Sequence, residues 1–300
     1  MKILRFHIVW FRLVVCMVLT IGSDLMAQSK AMFSQYMFNT FALNPAYAGT
    51  HDVTSIVLLY RNQWSGIDGA PVTQTLSAHS PLGNPNSAVG FVLMNDRIGI
   101  TRETGLNLAY AYKIKFDNAT LSMGVQGTYS SVKNEFNRLL LPDNNDGSLS
   151  GLAQETYINF GVGLYYHNER LYLGASVPDL VESDLRGRHL FLMAGYVFDL
   201  SHELKLKPSI LTKVVQGAPL EFDLNATVFW RDKIWLGGSY RSLAGVYFLV
   251  GVKPLPQLSI GYGYDLNLTE LGAYQNGTNE IMINYRLWFN KSKVITPRYF

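Results

Sequence analysis

The chain has 300 residues, 48% of them hydrophobic and 16% charged, with a formal net charge of +3. That excludes the low-hydrophobicity, high-charge composition of a disordered chain. No Lys/Arg cluster concentrates the small positive charge, so an electrostatic reader of nucleic acid is excluded as well.

Residues 1–27 read as a secretory signal peptide. Lys2, Arg5 and Arg12 form a positive start, Leu13 to Gly22 an apolar core, and Ala27 a small residue before Gln28. The apolar run stops at Ser23 and Asp24, well short of the roughly 20 residues of a spanning helix, which argues against a membrane anchor. Cleavage after Ala27 removes three basic and one acidic side chain, leaving 22 and 21. It also removes Cys16, the single cysteine, so the exported chain has neither a disulfide framework nor a thiolate metal site.

Residues 28–52 are apolar and aromatic (Phe33, Tyr36, Met37, Phe38, Phe41, Leu43), which a solvated tail would not be. Pro45 bars the segment from a central strand. The economical reading is a plug inside a barrel lumen, with an added strand or a periplasmic docking segment as the alternatives.

From residue 53 the sequence breaks into short runs of period two. Ile281, Ile283, Tyr285, Leu287 and Phe289 share one face, opposite Glu280, Met282, Asn284 and Arg286. Leu106, Leu108, Tyr110, Tyr112 and Ile114 alternate with Gly105, Asn107, Ala109, Ala111 and Lys113. The polar face is mostly Gly, Ser, Asn and Thr, where a soluble sheet carries more Lys and Glu. Apolar side chains outward, small polar ones inward, and Tyr60, Tyr166, Trp230 and Tyr240 near strand ends describe a transmembrane β-barrel. A membrane role without spanning helices requires such a closed barrel.

About fourteen antiparallel strands are predicted over 53–290, starting near 53, 72, 86, 105, 119, 157, 170, 188, 203, 220, 233, 244, 257 and 279, with twelve or sixteen left open by boundary error. Tight connections at Phe116–Ala119, His167–Glu169, Asp199–His202 and Arg231–Lys233 alternate with long ones at Asn62–Pro71, Lys133–Glu155, Pro178–Gly187 and Asp265–Asn279. Short periplasmic turns opposite long external loops suit an outer-membrane barrel with both ends in the periplasm. Residues 291–300 are then a periplasmic C-terminal tail.

Chemistry-bearing motifs are sparse. His51, His79, His167, His189 and His202 form no metal-ligand spacing and read as solvated or lumen-lining. Gly161, Gly163, Gly261 and Gly263 lack the rest of a dinucleotide fingerprint, and make room inside a barrel instead. Glu221 and Asp223 share a strand face, as any inward polar pair would. No nucleophile elbow or phosphate loop occurs, so neither enzymatic activity nor a cofactor is expected. In the longest loop, Leu139, Leu140 and Leu141 either bind a partner or fold back over the barrel mouth.

The run Phe33–Gly49 (FSQYMFNTFALNPAYAG), followed by Tyr60-Arg61-Asn62-Gln63-Trp64 and Gly69-Ala70-Pro71, resembles the PorP/SprF family of outer-membrane proteins associated with the type IX secretion system of Bacteroidetes. The resemblance continues through Val89-Gly90, Asn95-Asp96, Ile98-Gly99 and Leu108–Tyr112 to the ending Thr296-Pro297-Arg298-Tyr299-Phe300. Thr40 departs from it, standing where proline is expected after Asn39. Asn44-Pro45-Ala46 is also similar to a triplet in the lumenal hatch of FadL-type barrels, which supports a plug by analogy.

The resemblance implies a non-enzymatic secretion component of the cell outer membrane. Its implied partners are the periplasmic ring lipoprotein and that protein's own partner, a secreted cell-surface protein such as a large adhesin held through its C-terminal domain, and outer-membrane lipid. Phe33, Tyr36, Asn39, Asn44, Pro45, Tyr47 and the three loop leucines are the expected plug and partner contacts. The alternative is a FadL-like or porin-like barrel passing a small solute.

Overall fold

The computed structural model describes residues 32–135, 152–182, 187–288 and 299–300. Among them, no helix is long and apolar enough to cross a membrane. Crossing falls to strands: β1 (Thr54–Asn62), β2 (Val72–Pro81), β3 (Ser87–Ile98), β4 (Thr101–Lys115), β5 (Ala119–Glu135), β6 (Leu152–Asn168), β7 (Leu171–Val177) and β8 (His189–Tyr196). Then come β9 (Phe198–Asp199), β10 (Leu204–Val215), β11 (Glu221–Trp230), β12 (Ile234–Arg241), β13 (Gly245–Leu255), β14 (Leu258–Asn267) and β15 (Thr278–Leu287). β8 and β9 are one arm interrupted at Val197, since both pair with β10, so fourteen arms cross.

Every arm pairs antiparallel with its sequence neighbours, and β1 pairs with β15 from Thr54↔Leu287 to Asn62↔Asn279. The sheet is therefore closed, as a lipid-embedded sheet must be, and β6 beyond Val162 rises above the end of β7 without a ladder partner on that side. The expected strand starts agree to within a residue or so, with two exceptions. β4 begins at Thr101 rather than near 105, and β6 at Leu152 rather than near 157. There β4, β5 and β6 run beyond the apolar band. Their outward positions turn polar, so hydrophobic alternation fades while the backbone ladder continues. For the same reason the loop expected at 133–155 is shorter, and β3 meets β4 through Gly99 and Ile100 alone.

The outward face carries a continuous apolar band. Ile234, Val252, Ile260, Ile283, Leu58, Leu76, Leu93, Leu106, Tyr129 and Ile158 are successive register partners across ten strands. Alternate residues face the lumen and are buried: Ser122, Thr227, Glu280 and Met282 are examples. Short turns lie at 82–86, 116–118, 169–170, 231–233 and 256–257, on the end where β1 starts and β15 stops. That end is periplasmic by the usual barrel asymmetry.

Candidate functional site

The lumen is lined by small polar residues, and the segment 32–52 lies within it. Three single 3-10 turns, Tyr36–Phe38, Thr40–Ala42 and Pro45–Tyr47, compact the chain. Pro45 suits the first position of its turn because its missing N–H has no partner to make there. Asn44 caps that turn, accepting from the Ala46 N–H at 3.0 Å, while its amide donates to the Leu164 carbonyl of β6 at 2.9 Å.

The segment reaches walls on every side. On β2, Ser77 donates to Asn39 Oδ1 at 2.7 Å, and the Gly49 N–H donates to His79 Nδ1 at 3.0 Å. On β4, Lys113 donates to the Gly49 carbonyl at 2.8 Å; on β7, Ser176 donates to the Leu43 carbonyl at 2.8 Å. On β11, Asn225 donates to the Tyr36 hydroxyl and accepts from Tyr247 of β13. Burial pushes the Tyr36 phenol well above its ordinary pKa, with Tyr247 and Asp223 adding to the shift, so the hydroxyl stays neutral.

Glycines in the wall make the fit possible. A Cβ on Gly163 would overlap Asn44 Oδ1, one on Gly124 would overlap the Ala46 nitrogen, and one on Gly261 would overlap Gln35 Oε1. Gly49 itself has φ +71, a conformation in which its missing Cβ leaves room for Ala88.

The strongest anchors are ionic. Glu280, 0% exposed, accepts the Ser34 N–H at 2.8 Å, the Gln35 N–H at 2.7 Å and Arg61 at 2.9 Å. Arg61 also reaches Asp265 at 2.8 Å, and the Ser34 hydroxyl donates to the same carboxylate at 2.6 Å. Beside this group Arg241 grips Asp223 through two nitrogens, at 2.9 and 2.8 Å, and donates to the Phe33 carbonyl at 3.4 Å. Buried charges of this kind persist only when paired and hydrogen-bonded.

The structure thus brings Phe33, Tyr36, Asn39, Asn44, Pro45 and Tyr47 together as buried groups inside the barrel. Leu139, Leu140 and Leu141 lie outside the described residues. Sequence reasoning gave no role to Arg61, Arg241, Asp265 and Glu280, and read Asp223 only as half of an inward polar pair with Glu221. The available signal was charge at inward positions of strands otherwise lined with Gly, Ser and Thr.

The remaining motifs fall into place around this core. His51, His79 and Tyr47 cluster, with ring centroids 5.7 to 5.8 Å apart. Among the described residues, no group of three His, Cys, Asp or Glu side chains is placed to hold a metal. Glu221 and Asp223 serve different ion pairs, with Lys213 and Arg241.

At the periplasmic end Tyr299 and Phe300 enter the barrel. Lys207 donates to the Tyr299 carbonyl at 2.7 Å, and the Tyr299 hydroxyl donates to Asp232 at 2.7 Å. Phe300 packs 5.0 Å from the Tyr172 ring. Burial, and then the Asp232 carboxylate, push the Tyr299 phenol well up. A cavity of about 280 Å³ adjoins the pair, lined by Met37, Phe38, Trp235 and Met282 among others.

A family model described as Type IX secretion system membrane protein PorP/SprF matches residues 25–285. The chain belongs to the PorP/SprF family. It is thus an outer-membrane component of the type IX secretion system. No curated protein matches the sequence.

Among solved structures, the Acinetobacter baumannii outer membrane protein Omp33 is similar at TM-score 0.50 and 8% identity, covering 80% of this chain and 100% of its own. The CymD monoaromatic hydrocarbon channel gives TM-score 0.48 at 13% identity, covering 87% of this chain and 93% of its own. The Pseudomonas putida toluene transporter TodX gives 0.46 at 12%, covering 88% and 94%. At 8% identity the likeness to Omp33 concerns the barrel fold of this PorP/SprF member alone.

Proposed function

We propose that this PorP/SprF protein works as a closed, non-enzymatic barrel that supports export or surface retention of a partner protein such as a large adhesin. In this reading, residues 28–52 are a plug. Phe33, Tyr36, Asn39, Asn44, Pro45 and Tyr47 close the lumen, and the rim and loops, with Leu139, Leu140 and Leu141, contact the partner. The carrying observation is the ionic anchoring of Ser34 and Gln35 to Glu280 and of Phe33 to Arg241. Bonds to β1, β2, β4, β6, β7, β11 and β15 hold the segment across the lumen, which favours a closed barrel over an open solute path. The periplasmic ring lipoprotein and that protein's partner are the proposed contacts at the short-turn end, and the C-terminal domain of the secreted protein is the proposed contact at the loops.

The test is a cross-linked pull-down of the tagged protein from its native outer membrane, with partners identified by mass spectrometry. Recovery of secretion-ring proteins or one large surface protein supports the proposal. Recovery of assembly factors and lipid alone, beside a working positive control, sinks it in favour of a solute barrel.

A further inference from the structure

The outward face changes character in three successive register rows toward the loop end. The first row is apolar: Leu76, Leu93, Leu106 and Tyr129 on β2 to β5. Two residues further along, Gln74, Asn95, Thr104 and Ser131 are partners, and all four are polar. Two residues beyond those, Arg97 of β3 pairs with Arg102 of β4, and Arg102 pairs with Lys133 of β5. All three cations are exposed, and none forms an ion pair among the described residues. The row ends in neutral Val72 on one side and Gln154 on the other. Among the described strand residues the nearest outward acid, Glu135, stands two positions further along β5.

Residues directly opposite on antiparallel strands have Cα atoms about 4.5–5.5 Å apart, and like charges so placed repel. Three in a row without a carboxylate partner are a configuration that an external anion relieves. Depth identifies that anion. From Ile114, at the lower end of the apolar run on β4, to Arg102 is twelve residues, about 40 Å along the strand at roughly 3.4 Å each. A tilt of about 40° makes this about 31 Å along the membrane normal, against an apolar band of about 25 Å. Arg102 therefore stands about 6 Å outside the hydrocarbon, in the headgroup layer. The slant of the row spreads Arg97 and Lys133 a few Å to either side of that depth.

We propose that Arg97, Arg102 and Lys133 form a binding site for the phosphorylated headgroup of an outer-leaflet glycolipid of the lipid A type. The two guanidinium forks suit bidentate bonding to phosphate oxygens, and Lys133 adds a point charge. The Leu76–Leu93–Leu106 face, beyond one intervening polar row, receives the acyl chains of the same molecule. The site is independent of the lumen and of any secretion partner.

The test is native mass spectrometry of the full-length folded barrel in detergent, titrated with lipid A and with dephosphorylated lipid A. The wild type is expected to bind the phosphorylated form at least about tenfold more tightly, and R97Q/R102Q/K133Q to lose that preference. Folding of the variant is checked by heat-modifiable gel migration, and R97K/R102K, which keeps the charge but not the forks, should be intermediate. Equal binding of both lipids by the wild type overturns the proposal. So does a triple variant that keeps the preference, or complete displacement of lipid A by millimolar inorganic phosphate, which would make this a soluble-anion site.

Discussion

Arg61 and Glu280 face each other across the β1–β15 seam, the pairing that closes the barrel, and their side chains meet at 2.9 Å inside it. Glu280 also accepts the backbone N–H groups of Ser34 and Gln35. One buried carboxylate thus ties the first and last strands to each other and the N-terminal segment to both.

Glu280→Gln should therefore act on two structures at once. It leaves Asp265 as the one carboxylate paired with Arg61 among the described residues and weakens both backbone bonds, and losing one partner of a buried pair costs about 3–5 kcal/mol. Urea unfolding in detergent should show a loss near the lower figure, because Asp265 still serves Arg61. The N-terminal segment should become sensitive to protease under conditions where the barrel still migrates as folded.

Gly163→Val tests the fit from the wall. The new side chain would occupy the place of Asn44 Oδ1 and push against Pro45, while the outward face of β6 is unchanged. Cleavage within residues 33–50 should accelerate about tenfold or more, since protection there reflects local opening. Gly127→Val is the matched control, because a Cβ there meets nothing within 4 Å. Equal protease resistance of the two variants would remove the close contact from the account.

Asn44→Ala removes the turn cap and the bond to the Leu164 carbonyl. A lost cap costs about 1 kcal/mol and a lost buried hydrogen bond about as much again. Amide hydrogen exchange should rise first at Ala46 and Tyr47, and far less in β6.

Deleting Tyr299 and Phe300 should open the cavity beside Trp235 to water and leave Lys207 without its carbonyl acceptor. The expected readout is a red-shifted tryptophan emission with easier acrylamide quenching, abolished when the deletion is made on a Trp235→Phe/Trp288→Phe background, since both rings line the cavity. Unchanged emission would mean that the aromatic pair does not seal this end.

Much of the barrel was legible because period-two patterning is written residue by residue. Ile281, Ile283 and Tyr285 face outward and Glu280, Met282 and Asn284 inward, as alternation requires. The upper ends of β4 to β6 were not legible, since Thr101 to Thr104 carry no apolar alternation where neither face meets hydrocarbon. The aromatic content and Pro45 marked residues 28–52 as a lumenal plug in the economical reading, and not as a central strand. What the sequence withheld was the partners of that segment. Arg61, Asp265 and Glu280 are far apart in the chain, and only closure of β1 against β15 brings them to Ser34.

Closure of the lumen by its own N-terminal segment is decided by single-channel recording in planar bilayers. The wild-type barrel should show no sustained conductance, and a variant lacking residues 32–50 but still folded should show stable open steps. Steady porin-like conductance of the wild type, unchanged by the deletion, would contradict the account.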